Sequence, residues 1–136
     1  PVACGGADDL GEVAAVPADR LQVAAAGRLL LTADAGRLGG ERVQRSERGR
    51  AFAGVRLRDH LVAAGVDLAD RRAVDALAAD GYRHTLTREQ ALAETTLVAD
   101  REGDAALTGR DGPLRLVVAD DREASVRALR RLVVNP

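Results

Sequence analysis

The sequence contains no lysine, isoleucine, methionine or tryptophan, and it has only one cysteine, one phenylalanine and one tyrosine. A single cysteine, Cys4, cannot close a disulfide within the chain or supply a metal site with several thiolates. Because aromatic residues are so scarce, alanine, leucine and valine must form nearly all of the core. No apolar run reaches the roughly 18 residues of a membrane-spanning helix, so we expect no membrane partner.

The remaining composition is typical of a single globular domain. The chain has 136 residues, of which 46% are hydrophobic and 30% are charged. All 20 basic residues are arginine, as is typical of a GC-rich genome, and 21 acidic residues give a formal net charge of −1. This balance argues against a nucleic-acid partner, since general nucleic-acid binders carry excess positive charge. The lone cysteine and the lack of a visible signal sequence favour a cytoplasmic protein, with export after signal cleavage as the alternative.

Turn-forming residues divide the chain into an N-terminal arm, residues 1–19, and one domain, residues 20–136. The arm is rich in glycine, alanine and aspartate. We expect one short strand within it, at residues 12–16.

Strands dominate the predicted domain. Apolar runs at residues 21–26 and 29–32, separated by a glycine, predict a hairpin. Further strands are predicted at residues 41–45, 73–79, 82–86, 95–99 and 114–118.

Short helices interrupt these strands. Apolar residues at helical spacing, followed by a glycine, predict a helix over residues 56–64. Thr87 and Gln90 match the capping box that begins a helix, so a second helix is predicted over residues 87–93. Residues 101–113 are predicted to form a loop. Strands with two or three short helices, without regular βαβ alternation, indicate an α+β fold with mixed β-sheets.

Three residues that can transfer protons alternate along one predicted strand. Asp80, Tyr82 and His84 would project to one face, because side chains alternate along a β-strand. A carboxylate, a phenol and an imidazole on one face could perform acid–base catalysis near neutral pH. The alternative is structural, with Asp80 closing a turn, Tyr82 at the edge of the core and His84 in solvent.

Four arginines lie within nine residues just before the first predicted helix. They are Arg42, Arg45, Arg48 and Arg50, and Ser46 lies among them. Guanidinium groups suit the recognition of phosphate or carboxylate. We therefore predict ligand-binding roles for Arg42, Arg45 and Ser46. The alternative is a solvated loop, because two glutamates dilute the positive charge.

The remaining reactive side chains give weaker indications. His60 is either a residue at the boundary of the core or a base or metal ligand acting with His84, although two histidines are too few for a zinc site. Cys4 is either a nucleophile or redox thiol, or a residue of a mobile arm. Three C-terminal arginines are expected to face solvent: Arg127, Arg130 and Arg131.

Three stretches, taken in order, resemble one known family. They are residues 52–61 (FAGVRLRDHL), 79–82 (ADGY) and 112–118 (GPLRLVV). They are similar to a helix start, a DGY turn and a GPLRLVVP strand in the pterin-binding domain of sulfite-oxidase-type molybdenum enzymes, the oxidoreductase molybdopterin-binding family. The resemblance spans about residues 20–134 and points to the small stand-alone members. It implies an α+β fold with mixed sheets.

The departures from that family affect its metal site. Its enzymes bind molybdenum through one cysteine thiolate shortly before the first stretch, and here residues 41–50 contain no cysteine. The family's substrate-site tyrosine follows an alanine, and here Ala99 is followed by Asp100. Because a soft metal centre needs a soft ligand, these differences imply a domain without molybdenum or its cofactor.

The sequence thus favours a small-molecule-binding protein on this fold. Its ligand, polar or anionic, would lie between residues 42–50 and the strand at 80–84. Asp100 and Arg115 join the predicted ligand-binding residues, and a metal-free isomerisation or cyclisation is the expected chemistry. Two alternatives remain: a molybdopterin-dependent oxidoreductase with an unusual ligand set, and a binding module without catalysis.

Overall fold

The computed structural model describes residues 11–47, 49–66, 73–107, 112–118 and 125–135. Cys4 and Arg48 lie outside these ranges. Within them the chain is rich in strands and forms two sheets and two short α-helices, which confirms the α+β class. The strands are β1 (Arg20–Ala25), β2 (Arg28–Asp34), β3 (Arg42–Glu47), β4 (Arg50–Arg56), β5 (Ala73–Ala78), β6 (Arg83–Thr87), β7 (Leu97–Glu102), β8 (Ala105–Ala106), β9 (Arg115–Val117) and β10 (Leu129–Asn135). The helices are α1 (Leu57–Ala63) and α2 (Arg88–Leu92).

The first sheet has the strand order β2-β1-β10-β5-β6. β1 and β10 run parallel, whereas the other neighbours are antiparallel, so the sheet is mixed as predicted. β1 and β2 form the predicted hairpin, and its turn residues Ala26 and Gly27 have φ values of 52° and 74°. Positive φ at both central residues gives a turn whose twist matches that of the strands.

The second sheet has the strand order β3-β4-β7-β8, and β9 also pairs with β7. The sequence pattern did not predict β4, because small residues at its centre replace the usual alternation of apolar and polar side chains. Gly54 is required there, since a Cβ atom would overlap the carbonyl oxygen of Val98 and lie 2.7 Å from the Cα atom of Ala99. The close approach of β4 to β7 therefore depends on a residue without a side chain.

The main core cluster contains side chains from both sheets and both helices. A second cluster lies on the opposite face of the second sheet, because Leu97 and Ala99 belong to it whereas Val98 belongs to the main core. Phe52 and Val117 are also buried in this second cluster. The second sheet is thus covered on both faces, which explains the uninterrupted apolar run at the start of β7.

Both helices form where the sequence predicts them. α1 buries Leu57 and Leu61 in the main core. At the start of α2 the Thr87 Oγ1 atom accepts a hydrogen bond from Gln90 N at 3.1 Å, and Gln90 Oε1 accepts one from Thr87 N at 3.0 Å. This confirms the capping box. No helix in the described part of the chain is long and apolar enough to cross a membrane.

The N-terminal segment differs from the sequence prediction. Val13–Ala15 form a 3-10 helix rather than a strand, and this helix contacts β5 and β10. Arg131 on β10 donates from Nη1 to the Gly11 carbonyl oxygen at 3.1 Å, and from Nε to Gln22 Oε1 at 2.8 Å. The described part of the arm therefore packs on the first sheet.

Two of the three arginines expected in solvent are buried. Arg130 and Arg131 are only 7% and 5% exposed, because β10 lies in the middle of the first sheet. Burial lowers the pKa of both guanidinium groups. Arg127 is exposed, as predicted.

Candidate functional site

A pocket of about 280 Å³ lies where the end of β5 and the turn after it meet the start of β9. We call it the Arg115 pocket. Its lining residues are Ala78, Asp80, Tyr82, Arg115, Ser125 and Arg127.

The turn between β5 and β6 supplies one wall of the Arg115 pocket. Asp80 Oδ1 accepts a hydrogen bond from Tyr82 N at 2.9 Å, an aspartate turn that fixes these two residues side by side. Gly81 between them has φ of 93°, a conformation that glycine adopts without strain. Tyr82 is 47% exposed, so its ring borders both the pocket and solvent.

His84 lies apart from these two residues. It sits on β6 opposite Ala76, and it does not line the Arg115 pocket. The sequence predicted one strand through Asp80, Tyr82 and His84, but the strand begins only at Arg83 because Asp80 closes the turn before it. The structure therefore brings Asp80 and Tyr82 together and leaves His84 outside.

A short backbone bridge supplies the opposite wall. Leu116 N donates to the Val126 carbonyl oxygen at 2.8 Å, and Val126 N donates to the Leu116 carbonyl oxygen at 3.0 Å. Both of these residues are fully buried in the core. Because side chains alternate in extended chain, the neighbours Arg115, Ser125 and Arg127 project away from the core and toward the pocket.

Sequence reasoning missed Ser125 and Arg127 as site residues. Their signal was the alternation of polar residues around buried Val126, which matches that of Arg115 beside Leu116. This signal identifies which face the side chains occupy. It does not identify the pairing of the two segments, which only the folded chain shows.

Among the described lining residues, positive charge exceeds negative charge, which favours anions. Two guanidinium groups, Arg115 and Arg127, line the pocket with one carboxylate, Asp80, and with the side chains of Tyr82 and Ser125. Ser125 Oγ accepts a hydrogen bond from Val118 N at 3.3 Å. Guanidinium groups present several donors in a planar fork that matches carboxylate and phosphate oxygens. The arrangement can hold a small anion and offers one carboxylate for proton transfer.

The predicted ligand-binding residues Arg42 and Asp100 bind each other. Arg42 Nη1 and Nη2 donate to Asp100 Oδ2 and Oδ1 at 2.7 and 2.8 Å. The hydrogen bonds that Arg42 donates to the Asp100 carboxylate raise the pKa of Arg42. Asp100 is the extra residue of a β-bulge, since Ala53 pairs with Arg101 and Gly54 pairs with Ala99. The bulge redirects this carboxylate within the sheet.

Arg45 and Ser46 lie on β3, opposite Phe52 and Ala51 of β4. Neither residue lines the Arg115 pocket. The sequence predicted that the ligand would lie between residues 42–50 and the strand at 80–84. Residues 42–47 do not line the pocket that Asp80 and Tyr82 line.

The donor atoms in the described ranges do not fit a molybdenum centre. Residues 41–47, where the resemblance would place a thiolate, offer arginine, glutamine, serine and glutamate on or beside an antiparallel strand. Their best-placed polar group, Arg42, is paired with Asp100. No group of three or more histidine, cysteine, aspartate or glutamate side chains in these ranges could hold a metal ion.

His60 is fully buried rather than at a boundary. Its Nδ1 atom accepts a hydrogen bond from Gly39 N at 3.2 Å, so the proton of the neutral ring is on Nε2. Nε2 is buried and has no hydrogen-bond partner among the described residues. Burial lowers the pKa of His60, which keeps the ring neutral at physiological pH.

No protein-family model matches this chain, and no curated protein matches it at a significant level.

Proposed function

We propose that this protein binds a small anionic metabolite, a carboxylate or a phosphate ester, in the Arg115 pocket. The observation that carries the proposal is the convergence of the side chains of Arg115 and Arg127 with those of Tyr82 and Ser125 on one concave surface. At about 280 Å³ the pocket is near the lower end of the range for ligand sites, so the ligand is smaller than a dinucleotide or a pterin cofactor.

The pocket also suits a metal-free proton transfer. An isomerisation moves one proton between two atoms of the ligand, and the Asp80 carboxylate can accept that proton and return it. Arg115 and Arg127 would stabilise the negative charge that develops on the ligand after the proton leaves and before it returns. Tyr82 would orient the ligand through its hydroxyl group. His84 has no part in this scheme, because it lies outside the pocket.

The resemblance to the pterin-binding domain supports the Arg115 pocket as the ligand-binding site. Two of its three stretches contribute to the pocket, since residues 79–82 contain Asp80 and Tyr82, and residues 112–118 contain Arg115. We propose a fold of that family used without molybdenum. The rival oxidoreductase function would need a thiolate within residues 41–50, where the sequence has none.

Calorimetric titration with inorganic phosphate and with malonate tests the proposal. We expect the wild type to bind at least one of these probes with one site per chain. Arg127→Gln should weaken that binding about tenfold, the effect of losing one charge-assisted hydrogen bond. The matched control, Arg28→Gln, makes the same charge change at an exposed position on β2. The proposal is wrong if neither probe binds, or if the two variants weaken binding equally.

The second candidate function is binding without catalysis. In Tyr82→Phe, a catalytic protein should show an altered turnover rate, because the hydroxyl group that orients the ligand is lost. Ligand affinity should change little, because both guanidinium contacts remain. A screen of small hydroxy and oxo acids by proton exchange from deuterated water separates these functions. Exchange that Asp80→Asn abolishes supports catalysis, and binding without exchange supports a binding module.

A further inference from the structure

Phe52 connects the second sheet to the Arg115 pocket. It is the only phenylalanine in the sequence, and its side chain is 1% exposed. The guanidinium carbon of Arg115 lies 5.2 Å from the centre of its ring. An arginine within about 6 Å of an aromatic centroid is attracted by the negative charge of the ring face.

A second guanidinium group lies over the same ring. The guanidinium carbon of Arg50 is 4.8 Å from the ring centre of Phe52. Arg50 is neutralised by Glu102, because its Nε and Nη2 atoms donate to Glu102 Oε2 and Oε1 at 3.0 and 2.7 Å. This pairing offsets the repulsion between the two cations near the ring.

The surroundings of Phe52 hold the ring itself in place. It packs in the second cluster with Leu97, Ala99, Leu107 and Val117. A packed aromatic ring has few accessible rotamers. The packed ring thus gives the planar end of Arg115 a fixed surface to lie on, although Phe52 does not line the pocket.

We propose that Phe52 is a positioning residue that holds the Arg115 guanidinium for anion binding in the pocket. The proposal rests on the function given above for the Arg115 pocket. It gives a role in anion binding to a buried ring on β4, in the same sheet as Arg115 on β9. Flexible arginine side chains lose entropy when they bind, so a guanidinium that is already ordered binds an anion more tightly.

The first test is calorimetric titration of inorganic phosphate into three variants. Phe52→Leu removes the ring and should weaken phosphate binding about fivefold, the value of a moderate cation–π contact. Phe52→Tyr keeps the ring face and should bind phosphate within about twofold of the wild type. Leu107→Ala is the matched control, because it loosens the same cluster without touching the guanidinium. It should also bind within about twofold.

The second test needs no substitution that could impair folding. In the wild type, the Nε–Hε signal of Arg115 should lie upfield of an exposed arginine such as Arg28, because the ring current of Phe52 shields it. A signal at the position of a solvated arginine would overturn the proposal. Equal weakening by Phe52→Leu and Leu107→Ala would also overturn it.

The two tests distinguish failure of the positioning role of Phe52 from failure of the proposed anion-binding function. If the wild type binds phosphate and Phe52→Leu binds it equally well, the pocket function stands and the positioning role is wrong. If the wild type binds only malonate, the same variants are titrated with malonate. If it binds neither phosphate nor malonate, the function is wrong and the positioning role falls with it. The Arg115 signal then still shows whether the ring orders the side chain.

Discussion

Arg42 and Asp100 form a two-point ion pair across the second sheet, with both Nη atoms of the arginine within 2.8 Å of the two carboxylate oxygens. The two residues are on β3 and β7, and β4 lies between these strands. The Asp100 side chain is 5% exposed and that of Arg42 is 46% exposed. The pair therefore holds an edge strand to the sheet and satisfies a buried carboxylate.

Arg42→Ala should lower the free energy of unfolding by about 2 kcal/mol. The reason is that Asp100 would keep its buried position but lose two charge-assisted hydrogen bonds. Urea denaturation measures the change. Gln44→Ala, on the same strand and exposed, is the control and should cost less than about 0.5 kcal/mol. Equal effects from the two variants would show that the ion pair adds nothing.

Because His60 is buried, the folded protein should become less stable in mild acid. Its pKa is lowered in the folded protein from the ordinary 6.5, so the unfolded chain binds more protons below that pH. The contribution of His60 is fully present above about pH 6.5 and decreases as the pH falls toward the lowered pKa. The free energy of unfolding, measured by urea titration between about pH 7.5 and 5, should decrease more steeply in the wild type than in His60→Gln.

The control for this experiment is His84→Gln, which removes the other imidazole without touching α1 or the Gly39 hydrogen bond. The slope of stability against pH should fall more in His60→Gln than in His84→Gln. If His60→Gln shows the same slope as the wild type, burial of His60 does not cause the acid sensitivity.

Gly54→Ala should destabilise the fold by about 3 kcal/mol, because the new Cβ atom has no room between β4 and β7. Gly49→Ala, in the turn before β4, is the comparison. Its Cβ atom would meet nothing within 4 Å, and only the positive φ of 81° costs energy, about 1 kcal/mol. Thermal unfolding of the two variants distinguishes the effects. A larger loss of stability in Gly49→Ala than in Gly54→Ala would contradict the close packing of β4 on β7.

Thr87→Ala should cost about 1 kcal/mol by removing the N-terminal cap of α2. Thr87→Ser retains the hydroxyl group that accepts from Gln90 N and should cost much less. Circular dichroism during urea unfolding measures both. A serine variant as unstable as the alanine variant would show that the methyl group, and not the cap, matters.

Local signals predicted the elements that local chemistry determines. The capping box at Thr87, the hairpin turn at Gly27 and the helix that contains Leu57 all depend on residues close together in sequence. β4 was missed because Gly54 is there for contact with β7, which is about 45 residues away. The sequence pattern places Arg131 in solvent, because its burial comes from a long-range contact with the N-terminal segment.

The candidate site was predicted in part for the same reason. Asp80, Tyr82 and Arg115 were among the predicted residues and share one pocket. Arg42 and Asp100 were predicted to bind a ligand, and they bind each other because a bulge turns the carboxylate toward the arginine. The sequence shows which groups are charged, whereas the pairing of distant strands decides which of them meet.

The most direct measurement of the central claim is a titration of the ¹⁵N-labelled protein with inorganic phosphate and, in a second sample, with malonate, followed through the arginine Nε–Hε signals. The account predicts saturable shifts of Arg115 and Arg127, which line the pocket, and unmoved signals from Arg28 and Arg83, which do not. Shifts spread evenly over the arginines, or no shift at Arg115 and Arg127 with either anion, would contradict it.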